Sequence, residues 1–368
     1  MSLFTRAVFD DDHEAFRDSV RHFLQTEAEP HLDEWRTASR IPDDFFMKAG
    51  KQGLLGTAAP EEFGGGGVDD LRFVVVLVEE AAALGAVGLA HLLALHSGVV
   101  LPVLLRYGSE EARTTWVPAL VSGERMGAPI GAGTPIGLTV ENHRAVLNGE
   151  VGGVAGGRGA GIFLTSVSHD GERRLELLPG EAAGLSRSLV TDSLGGRECG
   201  QADLTMTALD LAAVGSHSLD GEAWRDMVLA LHLWSAVIAA ASARSVIAMT
   251  LRYVAERQVF GRPLSTFENT RHRLAEVAAR LSATQLLVDS SLVARSQDRL
   301  GTATAAAASL EAIALHDEVV DRGLQLHGGY GYMREYPISH AFADAQYLRQ
   351  QQHLVADTRD LIAADLGL

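Results

Sequence analysis

The chain predicts an α+β protein in three successive parts: an N-terminal helical domain over residues 1–123, a middle β domain over 124–216 and a C-terminal four-helix bundle over 217–368. Three observations carry this. Apolar residues recur at the 3.6-residue helical period from Asp11 to about Gly123, as at Phe16, Val20, Phe23 and Leu24. Between Glu124 and Ser216 that period vanishes, glycines recur, and short runs such as Ala145-Val146-Leu147 and Ile162-Phe163-Leu164 have the look of strands. From Glu222 onward helical stretches return over 224–258, 270–300, 303–326 and 339–366, free of proline and interrupted by one glycine, Gly323. Their short connections fit an antiparallel bundle better than a free coiled coil.

Taken in order, the acidic run Asp10-Asp11-Asp12 suits a helix N-terminus, where the peptide dipoles favour negative charge. Ile41-Pro42 is the expected start of a short second helix. The four glycines 64–67 end helical structure, because a run of residues with no Cβ leaves too much backbone entropy to lose. Residues 73–105 are apolar enough to raise a membrane span. Glu79, Glu80, His91 and His96 interrupt them, and two adjacent carboxylates are costly in lipid, so the expectation is buried helices of a soluble core. A shorter amphipathic helix is expected over 109–121.

At 368 residues, with 47% hydrophobic and 21% charged content, the chain has the composition of a large soluble globular protein. Its net charge of −16 opposes binding to nucleic acid or to an anionic membrane surface, so neither is expected as a partner. The one cysteine, Cys199, excludes an internal disulfide, and no Cys/His spacing suits zinc. With no signal-peptide pattern in residues 1–12, a cytoplasmic location is expected, and Cys199 is expected to be a buried packing residue.

The chemistry-bearing stretch is 256–353. Arg257 offers a planar guanidinium for a bidentate pair with a phosphate. Gly328, Gly329 and Gly331 would let backbone amides approach a bulky anion closely. The bland alternative is a surface ion pair of Arg257 with Glu256 and a plain inter-helix turn at the glycines. Five segments decide between the two readings: Gly53-Leu54-Leu55-Gly56 with Pro60-Glu61-Glu62-Phe63-Gly64-Gly65; Tyr107-Gly108-Ser109-Glu110-Glu111; Leu120-Val121-Ser122-Gly123-Glu124; Arg257-Gln258-Val259-Phe260-Gly261-Arg262-Pro263-Leu264; and Gln325-Leu326-His327-Gly328-Gly329-Tyr330-Gly331-Tyr332. In this order and spacing the chain resembles the acyl-CoA dehydrogenase family over nearly its whole length.

The resemblance implies FAD as cofactor and acyl-CoA as substrate. In that family the positions matching Arg257, Phe260, Gln325, Gly328 and Gly329 reach across a dimer interface to the pyrophosphate and ADP portion of a flavin seated on the neighbouring subunit. The other half of the site departs from the pattern. Ala128-Pro129-Ile130-Gly131-Ala132-Gly133-Thr134-Pro135 stands in place of the segment bonding flavin and thioester. Val151-Gly152-Gly153-Val154-Ala155-Gly156-Gly157 stands in place of the Trp-Ile-Thr or Trp-Ile-Ser that stacks on the ring. A stacking face and a hydroxyl donor are lost with it.

Taking a proton from the α carbon of a thioester needs a base, usually a carboxylate. Counting from Asp344-Ala345, the family's base position falls on Gln352, followed by His353. The alternative family position, on the first bundle helix, falls near Leu231 with His232 beside it. None of these is a carboxylate. Glu268 stands where the family has a flavin-contacting glutamine, an unfavourable charge beside a pyrophosphate.

The pattern of loss resembles the companion subunits of bacterial α2β2 enzymes that dehydrogenate bulky acyl-CoA thioesters such as steroid side chains. The expected partner is a catalytic acyl-CoA dehydrogenase paralogue or a second copy of this chain in a tetramer of dimers, with an electron-transfer flavoprotein as candidate acceptor. Two alternatives stay open: a self-sufficient flavoenzyme with a relocated base such as His353, and a flavin-free scaffold or acyl-thioester binding protein.

Overall fold

The computed structural model describes residues 6–141, 144–353, 355 and 357–368, the side chains of Glu141 and His353 excepted. Its N-terminal domain begins with α1, Asp11–Glu27, where the Asp10 carboxylate accepts from the Asp12 and His13 amides and so caps two otherwise unpaired donors. A short helix that the sequence did not announce, α2 (Leu32–Ala38), precedes the expected second helix and ends at Ser39 in a left-handed conformation. Pro42 then serves as the extended N-cap of α3, Asp43–Lys51, rather than as its first residue. In the glycine run that follows, a Cβ on Gly65 would overlap the Ala59 carbonyl, so the turn closes only without one.

Helix α4 (Leu71–Ala83) starts on an Asp70 cap. Next, α5 (Val87–Leu93) runs through a π-helical turn, Ala94–Val100, into α6 (Leu101–Tyr107). At that turn the indole of Trp234 lies where a side chain on Gly98 would sit, and its N–H donates to the Gly98 carbonyl at 2.7 Å. After α6, α7 (Glu110–Val121) is capped by the Ser109 hydroxyl.

Two stretches, Val87–Tyr107 and Gly221–Glu256, are long and apolar enough to cross a membrane, but 83% and 94% of their most apolar windows are buried against the rest of the chain. The carboxylates flagged in the sequence are accommodated by charge. Glu79 is 2% exposed and faces Arg6 at 2.6 Å, Arg17 at 3.3 Å and Arg244 at 3.5 Å. Burial alone would push its carboxyl up, and Arg244, Arg6 and Arg17 outweigh that to hold it below the usual range. This pins α1, α4 and the first bundle helix together.

The middle sheet contains β1 (Met126–Ile130), β2 (Ile136–Glu141), β3 (Arg144–Val154), β4 (Ala160–His169), β5 (Glu172–Pro179), β6 (Leu185–Leu189), β7 (Ala202–Asp210) and β8 (His217–Leu219). Its order is β6-β7-β3-β2-β4-β5-β8, with β1 parallel to β4. Its own apolar cluster includes Phe163, Leu147, Leu178 and Leu204. The opposite face, with Ile162, Leu164, Leu175 and Leu177, joins the helical core.

The C-terminal domain opens with α8 (Gly221–Glu256), capped by Asp220 and buried through a run of small side chains, Ala236, Ala239, Ala240, Ala241 and Ala243. A hairpin of β9 (Gln258–Val259) and β10 (Arg262–Pro263) leads to α9 (Glu268–Ser296) and α10 (Thr302–His327). Gly323 lets α10 approach α8 and the start of the next helix, since a Cβ there would press on Thr250 and Ile338. The fourth long stretch is divided into α11 (Pro337–His353) and α12 (Thr358–Asp365). Asp357 accepts from the Arg359 amide at 2.9 Å and starts a new helix, a local cap that apolar periodicity does not reveal.

Candidate functional site

Four of the five residues singled out from sequence converge at one end of the bundle. Arg257, just past α8, and Gln325, Gly328 and Gly329, at the end of α10, line one cavity of about 1020 Å³ together with Tyr253 and Tyr330. Phe260 lies outside it, at the hairpin tip, with φ +50° and 94% of its surface exposed. An aromatic side chain left in water at that level marks a surface that gains by being covered.

Gly328 has φ +58° and ψ −134°, a conformation that only glycine adopts without strain. A Cβ on Gly328 or Gly329 would meet nothing within 4 Å, so the backbone there faces open space. Gly331 differs from the expectation: a Cβ there would lie 2.6 Å from the Leu324 carbonyl, so its glycine serves packing within the turn.

Among the described residues Arg257 forms no ion pair, with Glu256 or any other acid, and its guanidinium lies 5.3 Å from the centre of the Tyr330 ring. Cation–π contact orients the group without neutralising it. Arg273 is a second cation lining the cavity that sequence reasoning did not single out. Arg322, also there, is held by Glu276 and Glu318 at 2.7 and 2.5 Å. His327 stacks on Tyr253 at 3.9 Å, and its Nδ1 faces the Gly323 carbonyl at 2.7 Å. Burial lowers its pKa, so it contributes a fixed wall rather than charge near neutrality.

Glu268 does not intrude. It is the exposed first residue of α9, 3.9 Å from His272, while its neighbours Asn269 and Thr270 line the cavity. A second cavity of about 1040 Å³ shares Asp321, Gln325 and Gly328 with the first, so the end of α10 is a ridge between them. The arrangement suits a phosphate-bearing ligand: an unpaired guanidinium, backbone open at two glycines, and an exposed aromatic residue nearby.

The region expected to seat a ring and a base is different. Gln352 is buried, and its side-chain N–H donates to the Ser309 hydroxyl of α10 at 3.1 Å, inside the bundle. Gln351 donates to the Gly153 carbonyl of β3 at 3.2 Å, so the end of α11 rests directly on the segment that lacks Trp-Ile-Thr. On its other side the Gly153 amide donates to Asp203 at 2.7 Å. Leu231 and His232 are buried core residues of α8. His353 ends α11, and its side chain lies outside the described residues. Among the described residues, no group of His, Cys, Asp and Glu is arranged to hold a metal ion.

A third cavity, about 1190 Å³, lies between the N-terminal domain and the bundle, with Phe63, Leu71, Leu233 and Trp234 among its walls. The Arg295–Asp226 ion pair also lines it. Sequence reasoning gave no signal for it.

Family models match both ends of the chain. One for the N-terminal domain of acyl-CoA dehydrogenase covers residues 10–124, and one for the C-terminal domain covers 232–350. The long-chain specific acyl-CoA dehydrogenase of Sus scrofa mitochondria is 31% identical over 365 residues, covering 93% of this chain and 83% of that protein. The chain belongs to the acyl-CoA dehydrogenase family. Solved structures agree on the fold of this family member. The acyl-CoA dehydrogenase of Geobacillus kaustophilus superposes with a TM-score of 0.90 at 24% identity, over 99% of this chain and all of that one. A glutaryl-CoA dehydrogenase of Mycobacterium smegmatis, solved in complex with FADH2, gives 0.88 at 20% identity over 98% and 96%.

Proposed function

We propose that this chain is the base-less subunit of a heteromeric acyl-CoA dehydrogenase, lending Arg257, Phe260 and residues 325–329 to an FAD seated on a catalytic partner chain. The observation that carries this reading is the unequal state of the two halves of the site. The lending half fits a dinucleotide: among the described residues Arg257 has no competing acid, the backbone at Gly328 and Gly329 is open, and Phe260 stands exposed. The half that would hold a flavin ring does not fit one, because Gln351 already bonds the Gly153 carbonyl where the family has its aromatic stack.

When bound, FAD supplies a hydride acceptor for the β carbon of an acyl thioester. This chain's residues would meet only its pyrophosphate and ADP portion. Arg257 would pair with a phosphate oxygen through charge-assisted hydrogen bonds of about 1.5–3 kcal/mol. Gln352 is nearly isosteric with glutamate, but its amide cannot take up the α proton. Such a subunit fits an α2β2 assembly acting on bulky acyl-CoA thioesters such as steroid side chains, with an electron-transfer flavoprotein as acceptor and a cytoplasmic setting.

Purification of the chain alone, and with a paralogue bearing glutamate at the emptied position, tests this. The chain alone is expected to carry far less than one FAD and no acyl-CoA dehydrogenase activity, and the pair to carry both. One FAD per chain with turnover from this chain alone would refute it. A second reading, a self-sufficient flavoenzyme with a relocated base, draws on the 31% identity to a named acyl-CoA dehydrogenase. Loss of turnover in His353→Ala with flavin content unchanged would support that reading.

A further inference from the structure

The three domains meet at one buried point that the proposed chemistry does not use. A short turn, Arg197–Cys199, leaves the sheet between β6 and β7 and is wedged between α5 of the N-terminal domain and α11 of the bundle. Its fit is close. A Cβ on Gly195 would overlap the Ala343 carbonyl, and one on Gly196 would lie 2.6 Å from the Tyr347 ring.

Two carboxylates tie the turn to the helices. Glu198, fully buried, accepts the Gly88 amide at 2.8 Å and so caps the start of α5, which has no side-chain cap of its own. Asp344, 4% exposed, accepts the Gly196 amide at 2.8 Å. Among the described residues the second Glu198 oxygen has no hydrogen-bond partner, and the Arg36 Nε of α2 lies 3.9 Å from it. Beside them the Tyr347 hydroxyl lies 2.6 Å from His91 Nδ1 of α5 and 3.3 Å from the Cys199 sulfur.

We propose that Asp344 and Glu198 form a proton-operated latch joining the three domains, closed while Asp344 carries a proton and loosened once both groups are ionised. The physical reason is that a seam of this kind tolerates one buried negative charge beside Arg36 but not two. The groups that act on Asp344 are Glu198 and Cys199 from the turn, Arg36 from α2 and Tyr347 on its own helix; His91 of α5 adjoins Tyr347, and His340 of α11 interacts with Arg36, Asp33 and Glu198.

Burial, and then the charge of Glu198, push Asp344 up to about 7 against the opposing Gly196 amide and Arg36. Burial pushes His91 down to about 4, so it stays neutral over the whole range in which Asp344 titrates. The Cys199 thiol, raised to about 12 by burial, stays protonated. A carboxyl with a raised folded pKa favours the closed form below its open-state pKa. That advantage shrinks about tenfold per pH unit between about 4 and 7, then levels off.

The latch bears on ligand access, because the elements it joins supply Leu194, Arg197, His340 and Phe342 to the cavity shared with Gln325 and Gly328. It rests on this chain's geometry and holds whether or not a dinucleotide binds.

Hydrogen exchange of residues 194–201 in the full chain, corrected for intrinsic rates, tests it at pH 5.5 and 7.5. Protection in the wild type is expected to fall at least about tenfold at the higher pH, and Asp344→Asn to remain protected at both. Equal wild-type protection at the two pH values, or the same fall in Asp344→Asn, overturns the latch. Should Asp344→Asn fail to fold, Glu198→Gln decides. It removes the charge while still accepting from Gly88, so the pH step should shrink, and an unchanged step overturns the proposal equally.

Discussion

The end of α10 and the end of α11 are neighbours in one bundle, yet they are finished in opposite ways. At the first, an unpaired guanidinium, two open glycines and an exposed phenylalanine leave interactions unmade. At the second, the glutamine amides of 351 and 352 are already used, one on the sheet and one on α10. Groups left unsatisfied at a surface await a ligand or partner, whereas groups satisfied internally hold the fold. The comparison separates what this chain offers from what it keeps.

Acid should separate the two regions most strongly. His91, His96 and His316 are buried, and desolvation pushes each down to about 4. A histidine with a depressed folded pKa contributes stability that is present above its unfolded pKa and lost as pH falls from about 6.5 to 4, up to about 3 kcal/mol for each. Asp344 works in the opposite sense over an overlapping range and offsets part of the loss. None of the three histidines lines the cavity at the end of α10. Calorimetry should therefore find stability falling between pH 6.5 and 4.5. A flat profile would mean that these histidines are solvated.

His96 illustrates why they stay neutral. Its Nε2 lies 3.1 Å from the Leu120 carbonyl while its Nδ1 accepts the Gly127 amide at 3.1 Å, an arrangement that needs one proton on the ring. It joins the π-helical turn to α7 and β1, which is a structural task.

Restoring the carboxylate is the next sharpest probe. In Gln352→Glu the new group would sit against Ser309 inside the bundle, so it should give no dehydrogenase activity to the chain alone. It should also lower stability by about 1–3 kcal/mol at neutral pH through burial of a charge. Burial would raise the pKa of the new carboxyl, so that cost should lessen as pH falls toward it. Turnover by the Gln352→Glu chain without a partner would erase the distinction between the two helix ends.

The grouping of residues at the end of α10 was legible because its signals are local. A glycine that adopts φ +58° and an arginine at a helix end can be read from a few consecutive residues, and four of the five named residues line one cavity. The part played by Gly331 was misread, because its contact with the Leu324 carbonyl depends on how the turn folds back. The direction of Glu268 was likewise hidden, since it depends on where α9 begins.

Other features depend on pairs far apart in the chain. Trp234 fills the space at Gly98, and Asp344 binds the amide of Gly196. No periodicity or spacing rule connects such residues. The order of helical, β and helical parts was readable because it follows from period and composition over long windows. The cap at Asp357, which splits the expected fourth bundle helix, and the short helix that ends at Ser39 are local events below that resolution.

The most direct test of the central claim places Arg257→Gln in this chain alone and leaves the proposed catalytic partner unaltered. Flavin affinity of the reconstituted complex is then measured by titration. Loss of the charge-assisted phosphate pair predicts FAD binding weaker by about tenfold to a hundredfold, with the partner's own residues intact. Flavin affinity equal to that of the unaltered complex would contradict the account.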